Sequence, residues 1–286
     1  MATQPPTLST AAIRMVPRRA GAERRARRWS AVGPVVLGIG GVVALLAFWQ
    51  LYAMFGPMQP GFLPAPSAVL PRFVADFGYV AFWTAVGQTM WAWLLSLAIS
   101  SVSALAVGLV IGSSQFLRRA THSTIEFLRP IPSVGLIPIA ALVFGPRIGS
   151  ELLVVVYGCF WIVVIQVLYG VADVDKVASD TVRTLGMNYF QRVRHLVLPT
   201  MLPYYFTGLR LAATVALILT VSTELIIGTP GLGRSIAQAQ LNDSMTDLLA
   251  LVIMAGVLGI VINLSARFLE RRLLFWHGSV RSELGS

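Results

Sequence analysis

The sequence is nearly devoid of lysine and poor in cysteine, histidine and acidic residues. Lys176 is the single lysine among 22 Lys and Arg residues. A G-x-x-x-x-G-K-[ST] phosphate loop therefore cannot be built, and this chain does not bind ATP in that way. Cys159 is the single cysteine, which excludes an intrachain disulfide and a multi-cysteine metal site. It stands in the apolar run LLVVVYGCFWIVVIQVLYG and is expected to be buried and inert. His122, His195 and His277 are far apart and show no metal-ligand spacing. Neither H-E-x-x-H nor G-x-S-x-G occurs. Charged residues make up 12% of the chain against 56% hydrophobic, where soluble domains carry roughly 25% charged. With a mean hydropathy of +0.75, lipid is the expected solvent for most of it.

Long apolar runs fill the space that charge leaves. A helix needs about 20 apolar residues to cross a hydrocarbon core of roughly 30 Å. Residues 32–54, 84–111, 152–171, 202–227 and 248–268 qualify. Residues 124–144 form a less regular span, with Glu126 and Arg129 near its start and Pro130, Pro132 and Pro138 within it. An all-α membrane protein of six spans is predicted.

Arginine supplies the orientation. The segment before the first span holds Arg14, Arg18, Arg19, Arg24, Arg25, Arg27 and Arg28. Arg118 and Arg119 follow the second span. Lys176, Arg183, Arg192 and Arg194 follow the fourth, and Arg267, Arg271, Arg272 and Arg281 close the chain. The alternate loops offer only Arg72, Arg147 and Arg234. Because loop Arg and Lys are retained in the cytoplasm, both termini are expected there. This placement assigns the net charge of +10 to the membrane surface, with no reading helix or stacking platform for nucleic acid.

Residues 1–30 are expected to be a basic, disordered cytoplasmic tail, and 31–83 a first span with an outer loop. Residues 84–276 would form a core of five spans, and 277–286 a second cytoplasmic tail. Of the polar groups at membrane depth, Glu224 stands out, because such residues are costly and kept for function. It is read first as a structural or gating carboxylate lining a polar interior and second as a substrate contact. Ser222 and Thr223 beside it complete a candidate translocation pathway. The turn-rich GTPGLGRSIAQAQLNDSM is expected to lead into a short interfacial helix.

The cytoplasmic loop 172–200 is the most informative segment. DKVASDTVRTL suits a short helix with acid near its start, ended by Gly186 in the left-handed conformation. Asn188 is a plausible N-cap for a second helix over 188–197. There Phe190, Val193, Leu196 and Val197 make a stripe at helical spacing. Pro199 is expected to stop simple continuation and set a new angle into the fifth span. Such a loop could lie on the membrane surface or dock its stripe in a partner's groove.

The segment resembles the cytoplasmic loop of binding-protein-dependent ABC transporter permeases, which reads E-A-A, three residues, G, nine residues, I-x-L-P. Asp180, Thr181 and Val182 occupy the opening triplet, Gly186 the glycine, Leu196 the isoleucine, and Leu198 and Pro199 the close. The spacing matches throughout, while the triplet departs: Asp is one methylene shorter than Glu, and Thr and Val replace two alanines. FLPAPSAVL, EFLRPIPSVGLIPIAALVFG, LPYYFTGLRLAATVALILTVSTELI, PGLG and LERRLLFW are similar to segments of the sulfonate, taurine and nitrate branch.

That resemblance implies a MetI-like importer fold with no catalytic residue and no cofactor in this chain. ATP and Mg would be bound by partner ABC ATPase subunits, and an extracytoplasmic solute-binding protein would deliver the solute. A second copy of the chain would complete a homodimer in the cell membrane. The ATPase contact would fall on Asp180, Thr181, Val182, Leu185, Gly186, Phe190, Val193, Leu196, Leu198 and Pro199. The branch implies a small anion such as a sulfonate, taurine or nitrate. Alternatives are a pyrimidine or thiamine-precursor substrate, or a stand-alone channel or enzyme built on Glu224.

Overall fold

The computed structural model describes residues 20–57 and 62–274. The chain divides into one unit over Met1–Met58 and another over Gln59–Ser286. The first unit contributes α1 (Ala20–Phe55). Its helix starts within the segment expected as a disordered tail; the rest of that segment, and the tail 277–286, lie outside the described residues. The apolar part Val36–Phe55 has no charged residue and is long enough to cross a membrane.

In the second unit the chain runs through α2 (Pro66–Asp76), α3 (Val80–Gly112), α4 (Gln115–Leu128), α5 (Ile137–Phe144) and α6 (Ile148–Ala172). It continues through α7 (Lys176–Thr184), α8 (Tyr189–Arg192), α9 (Leu198–Ile227), α10 (Leu232–Leu241) and α11 (Met245–Leu273). Among the described residues of the whole chain, α1 included, five helical stretches are long and apolar enough to span, and α4 with α5 makes a sixth if that bent pair is one span.

Helices α3, α6 and α9 form the core, and small residues let them approach. On α3, Ser96, Ser100, Ala104, Gly108 and Gly112 recur every fourth position and are buried. This is the small-residue ridge that brings backbones together where lipid offers no hydrophobic drive. A Cβ on Gly108 would stand 2.9 Å from Val167 Cβ, and one on Gly170 would stand 2.8 Å from Met201 Cα. Leu94, Val102 and Val110, on the opposite side of α3, are exposed, as lipid-facing positions must be. Two donors fasten the core from inside: Trp93 Nε1 to Ala213 O at 2.8 Å and Cys159 Sγ to Ala212 O at 3.4 Å. Cys159 is fully buried.

Charge pairs tie α11 to this core and α2 to α11. Arg210 on α9 reaches Glu270 on α11 at 3.1 Å, which gives a span arginine its counter-charge. Arg72 on α2 joins Asp76 at 3.3 Å and donates to Asp247 at the start of α11. Burial pushes the Asp76 carboxyl above its ordinary range, Arg72 opposes the rise, and Asp247 adds to it.

Two expectations require correction. The span predicted over 124–144 is not one helix, because α4 begins nine residues earlier at Gln115 and is bent by 75° from the following segment Ser133–Phe144. Pro130 and Pro132 supply the break, since proline removes a donor and disfavours helix in the residue before it. Pro199, in contrast, does not end the helix. Tyr189–Ile227 runs as one 39-residue helix, with a π turn over Val193–Val197. Leu198 N–H bonds Val193 O five residues back, so a wider turn immediately precedes Pro199.

Candidate functional site

The loop between α6 and α9 is held by local hydrogen bonds. Asp175 caps α7 by accepting from Val177 N–H at 3.1 Å. At the other end Gly186 has φ +71°, the left-handed region that glycine enters without steric cost. Gly186 N–H bonds Arg183 O at 3.0 Å and Met187 N–H bonds Val182 O at 3.2 Å. This paired pattern is the Schellman motif. Asn188 then starts α8 with a capping box: Gln191 N–H donates to Asn188 Oδ1 at 2.9 Å, and Asn188 N–H donates to Gln191 Oε1 at 3.0 Å. The corner between the two helices is therefore specified at every residue from Leu185 to Asn188.

What this corner presents is apolar. Leu185 is 69% exposed, Phe190 70% and Val177 72%, and neither α7 nor α8 has a buried residue. Asp180, Thr181 and Gly186 are exposed beside them, while Val182, Val193, Leu196 and Leu198 are half-buried and Pro199 is exposed. Phe190 and Leu185 thus share the outer surface of the corner, and Val193, Leu196 and Leu198 turn toward the helices. Because α8 continues through the π turn into α9, a load on Phe190 acts on the same helix that crosses the membrane.

The second candidate group lies at the far end of α9. Ser222 is half-buried, whereas Thr223 and Glu224 are fully buried within the single chain. Glu224 Oε2 accepts from Thr89 Oγ1 at 3.0 Å and from Gly233 N–H at 2.8 Å, and Leu232 N–H donates to Thr89 Oγ1 at 2.9 Å. The carboxylate and hydroxyl thereby take up N–H groups in the first turn of α10, which otherwise lack partners. The glycines of PGLG make this possible: a Cβ on Gly231 would collide with the Glu224 carboxylate, and one on Gly233 would stand 2.7 Å from Glu224 Cβ. Through these bonds Glu224 joins α3, α9 and α10. Thr223 donates to Leu219 O of its own helix at 2.8 Å.

A third feature was not anticipated. A groove of about 430 Å³ runs along the break between α4 and α5, lined by Arg129, Ser133, Tyr157, Trp161, Gln166 and Leu211 among others. Tyr157 OH donates to Leu128 O at 2.7 Å and so pins the break against α6. Gly158 lets Ser133 approach, since a Cβ there would stand 2.9 Å from Ser133 Oγ.

Residues 104–275 match the binding-protein-dependent transport system inner membrane component family. The chain belongs to that family. Over 259 residues it is 30% identical to the taurine transport system permease protein TauC of Escherichia coli (strain K12), covering 89% of this chain and 94% of that one. Identity is 26% to the putative aliphatic sulfonates transport permease protein SsuC of the same organism, with 82% and 89% covered. It is 24% to the bicarbonate transport system permease protein CmpB of Synechococcus elongatus, with 84% and 90% covered. The chain is thus a multi-pass membrane permease of the sulfonate, taurine and nitrate branch.

Solved structures agree on the fold. A bacterial ABC transporter for alginate import matches with a TM-score of 0.60 at 14% identity, covering 87% of this chain and 99% of that one. The inward-facing MetNI methionine transporter matches with a TM-score of 0.55 at 17% identity, covering 66% and 96%. The membrane fold of ABC importer permeases follows.

Proposed function

We propose that this permease is the membrane subunit of an ATP-driven importer for a small anion, working as a homodimer with both termini in the cytoplasm. An external binding protein delivers the solute, and two separate ATPase subunits, which hold ATP and Mg, dock on the α7–α8 corner. The observation that carries this reading is the corner itself. It is rigidly capped, yet it leaves Leu185 and Phe190 about 70% exposed, a cost that a partner's groove removes. ATP shifts the inward and outward forms only through the difference in ATPase affinity for the two. The continuous α8–α9 helix carries that difference to the membrane. The relatives whose names mention taurine, aliphatic sulfonates, bicarbonate and nitrate support a small oxyanion-bearing solute.

Purification of the tagged full-length chain from its native host, with nucleotide varied, tests the assembly. An ABC ATPase is expected to co-purify in at least one nucleotide state. A chain that never retains one contradicts the proposal.

A further inference from the structure

The groove at the α4–α5 break brings a guanidinium and several neutral donors together. The groove follows α6 (Ile148–Ala172) from Tyr157 and Trp161 near its midpoint to Tyr169 near its C-terminal end. Arg129 lines the groove from the C-terminal end of α4, and none of the ion pairs among the described residues involves it. Trp161 Nε1 is buried without a hydrogen-bond partner, although a buried donor normally has one. Ser133 and Gln166 add neutral donors, and no carboxylate among the described residues lines the groove. The nearest acid to consider is Glu126, which lines the adjoining cavity and faces His122 at 3.4 Å. Ile162, Ile165 and Leu211 supply apolar wall beside these donors.

We infer that this groove is a transient binding site for the transported solute, a small oxyanion on a short apolar stem, with the Arg129 guanidinium and the Trp161 indole N–H facing the oxyanion. The inference rests on the importer reading above and adds to it the place where the solute pauses. A guanidinium offers forked donors that suit the geometry of carboxylate-like oxyanions. An indole N–H is a donor that cannot itself attract a cation by accepting a hydrogen bond. The volume of about 430 Å³ suits a short-chain sulfonate. The break that creates the site also frees the α4 end from the α5 direction, which is how broken helices line solute cavities in transporters.

Equilibrium binding of radiolabelled ethanesulfonate to the full-length chain in neutral-lipid nanodiscs tests this, with dimethyl sulfone as the uncharged competitor. Ethanesulfonate is expected to bind, and dimethyl sulfone not to displace it. Arg129→Gln is expected to weaken binding about tenfold or more, the scale of a lost charge-assisted pair. Arg129→Lys should weaken it less, and Trp161→Phe by roughly threefold. Arg147→Gln removes a charge at the start of α6, outside the groove, and leaves binding unchanged. Equal binding by wild type and Arg129→Gln, or displacement by dimethyl sulfone, overturns the site. Absent binding in a chain that still retains its ATPase overturns the site alone, whereas loss of the ATPase overturns the reading beneath it.

Discussion

Thr89 and Glu224 are 135 positions apart, yet the Thr89 hydroxyl donates to Glu224 Oε2 at 3.0 Å in a fully buried contact. With Gly233 N–H as a second donor to the same oxygen at 2.8 Å, the pair locks one end of α3 and α9 to the start of α10. Glu224→Ala leaves both donors buried without an acceptor, at about 1–3 kcal/mol each. The expected loss is about 2–6 kcal/mol, read by thermal unfolding in detergent, with hydrogen exchange accelerating first in α10. Glu224→Gln keeps an acceptor oxygen and should lose half as much or less. Full stability and unchanged exchange in the alanine variant contradict this role.

Close helix approach makes a second expectation. A Cβ on Gly170 meets the Met201 backbone at 2.8 Å and Tyr204 Cβ at 3.0 Å, so α6 and α9 must separate to admit it. Gly170→Ala is expected to cost about 1–3 kcal/mol as overpacking. Gly256→Ala on α11 has nothing within 4 Å of the added methyl, and helix propensity alone makes it neutral or stabilising by up to about 1 kcal/mol. Parallel melting curves compare the two, and equal effects would exclude packing as the cause.

The docking corner predicts a separation of stability from assembly. Phe190 is 70% exposed, so Phe190→Ala should change the unfolding free energy by less than about 0.5 kcal/mol. Loss of an aromatic anchor at an interface centre costs about 2 kcal/mol or more, which predicts at least tenfold weaker retention of the ATPase. Quantitative co-purification alongside melting curves reads both. A destabilised chain, or one that retains its ATPase fully, contradicts the assignment.

Much of this was legible in the sequence because it is local. The Schellman turn at Gly186 and the cap at Asn188 depend on residues within a few positions, and the structure has both. Apolar runs likewise announce spans, since hydrogen bonds within the segment satisfy the backbone in lipid. Long-range relations were hidden. Nothing near Glu224 in sequence names Thr89 as its partner. Pro199 reads as a stop, yet the helix continues through it after a π turn. Arg129 reads as the start of a regular span, and the 75° break leaves it instead on a groove against α6. The run Arg129-Pro130-Ile131-Pro132 was the available signal, because two prolines so spaced break a helix and free its end.

Substrate-stimulated ATP hydrolysis by the assembled complex, compared between wild type and Gly186→Val, most directly tests whether the α7–α8 corner transmits energy. Gly186 holds φ +71° with nothing within 4 Å of an added Cβ, so valine acts chiefly by straining the left-handed backbone on which the Schellman turn depends. The variant is expected to insert into the membrane and span it normally while losing stimulation of hydrolysis by solute and binding protein. Stimulation at the wild-type level would contradict the role assigned to the corner.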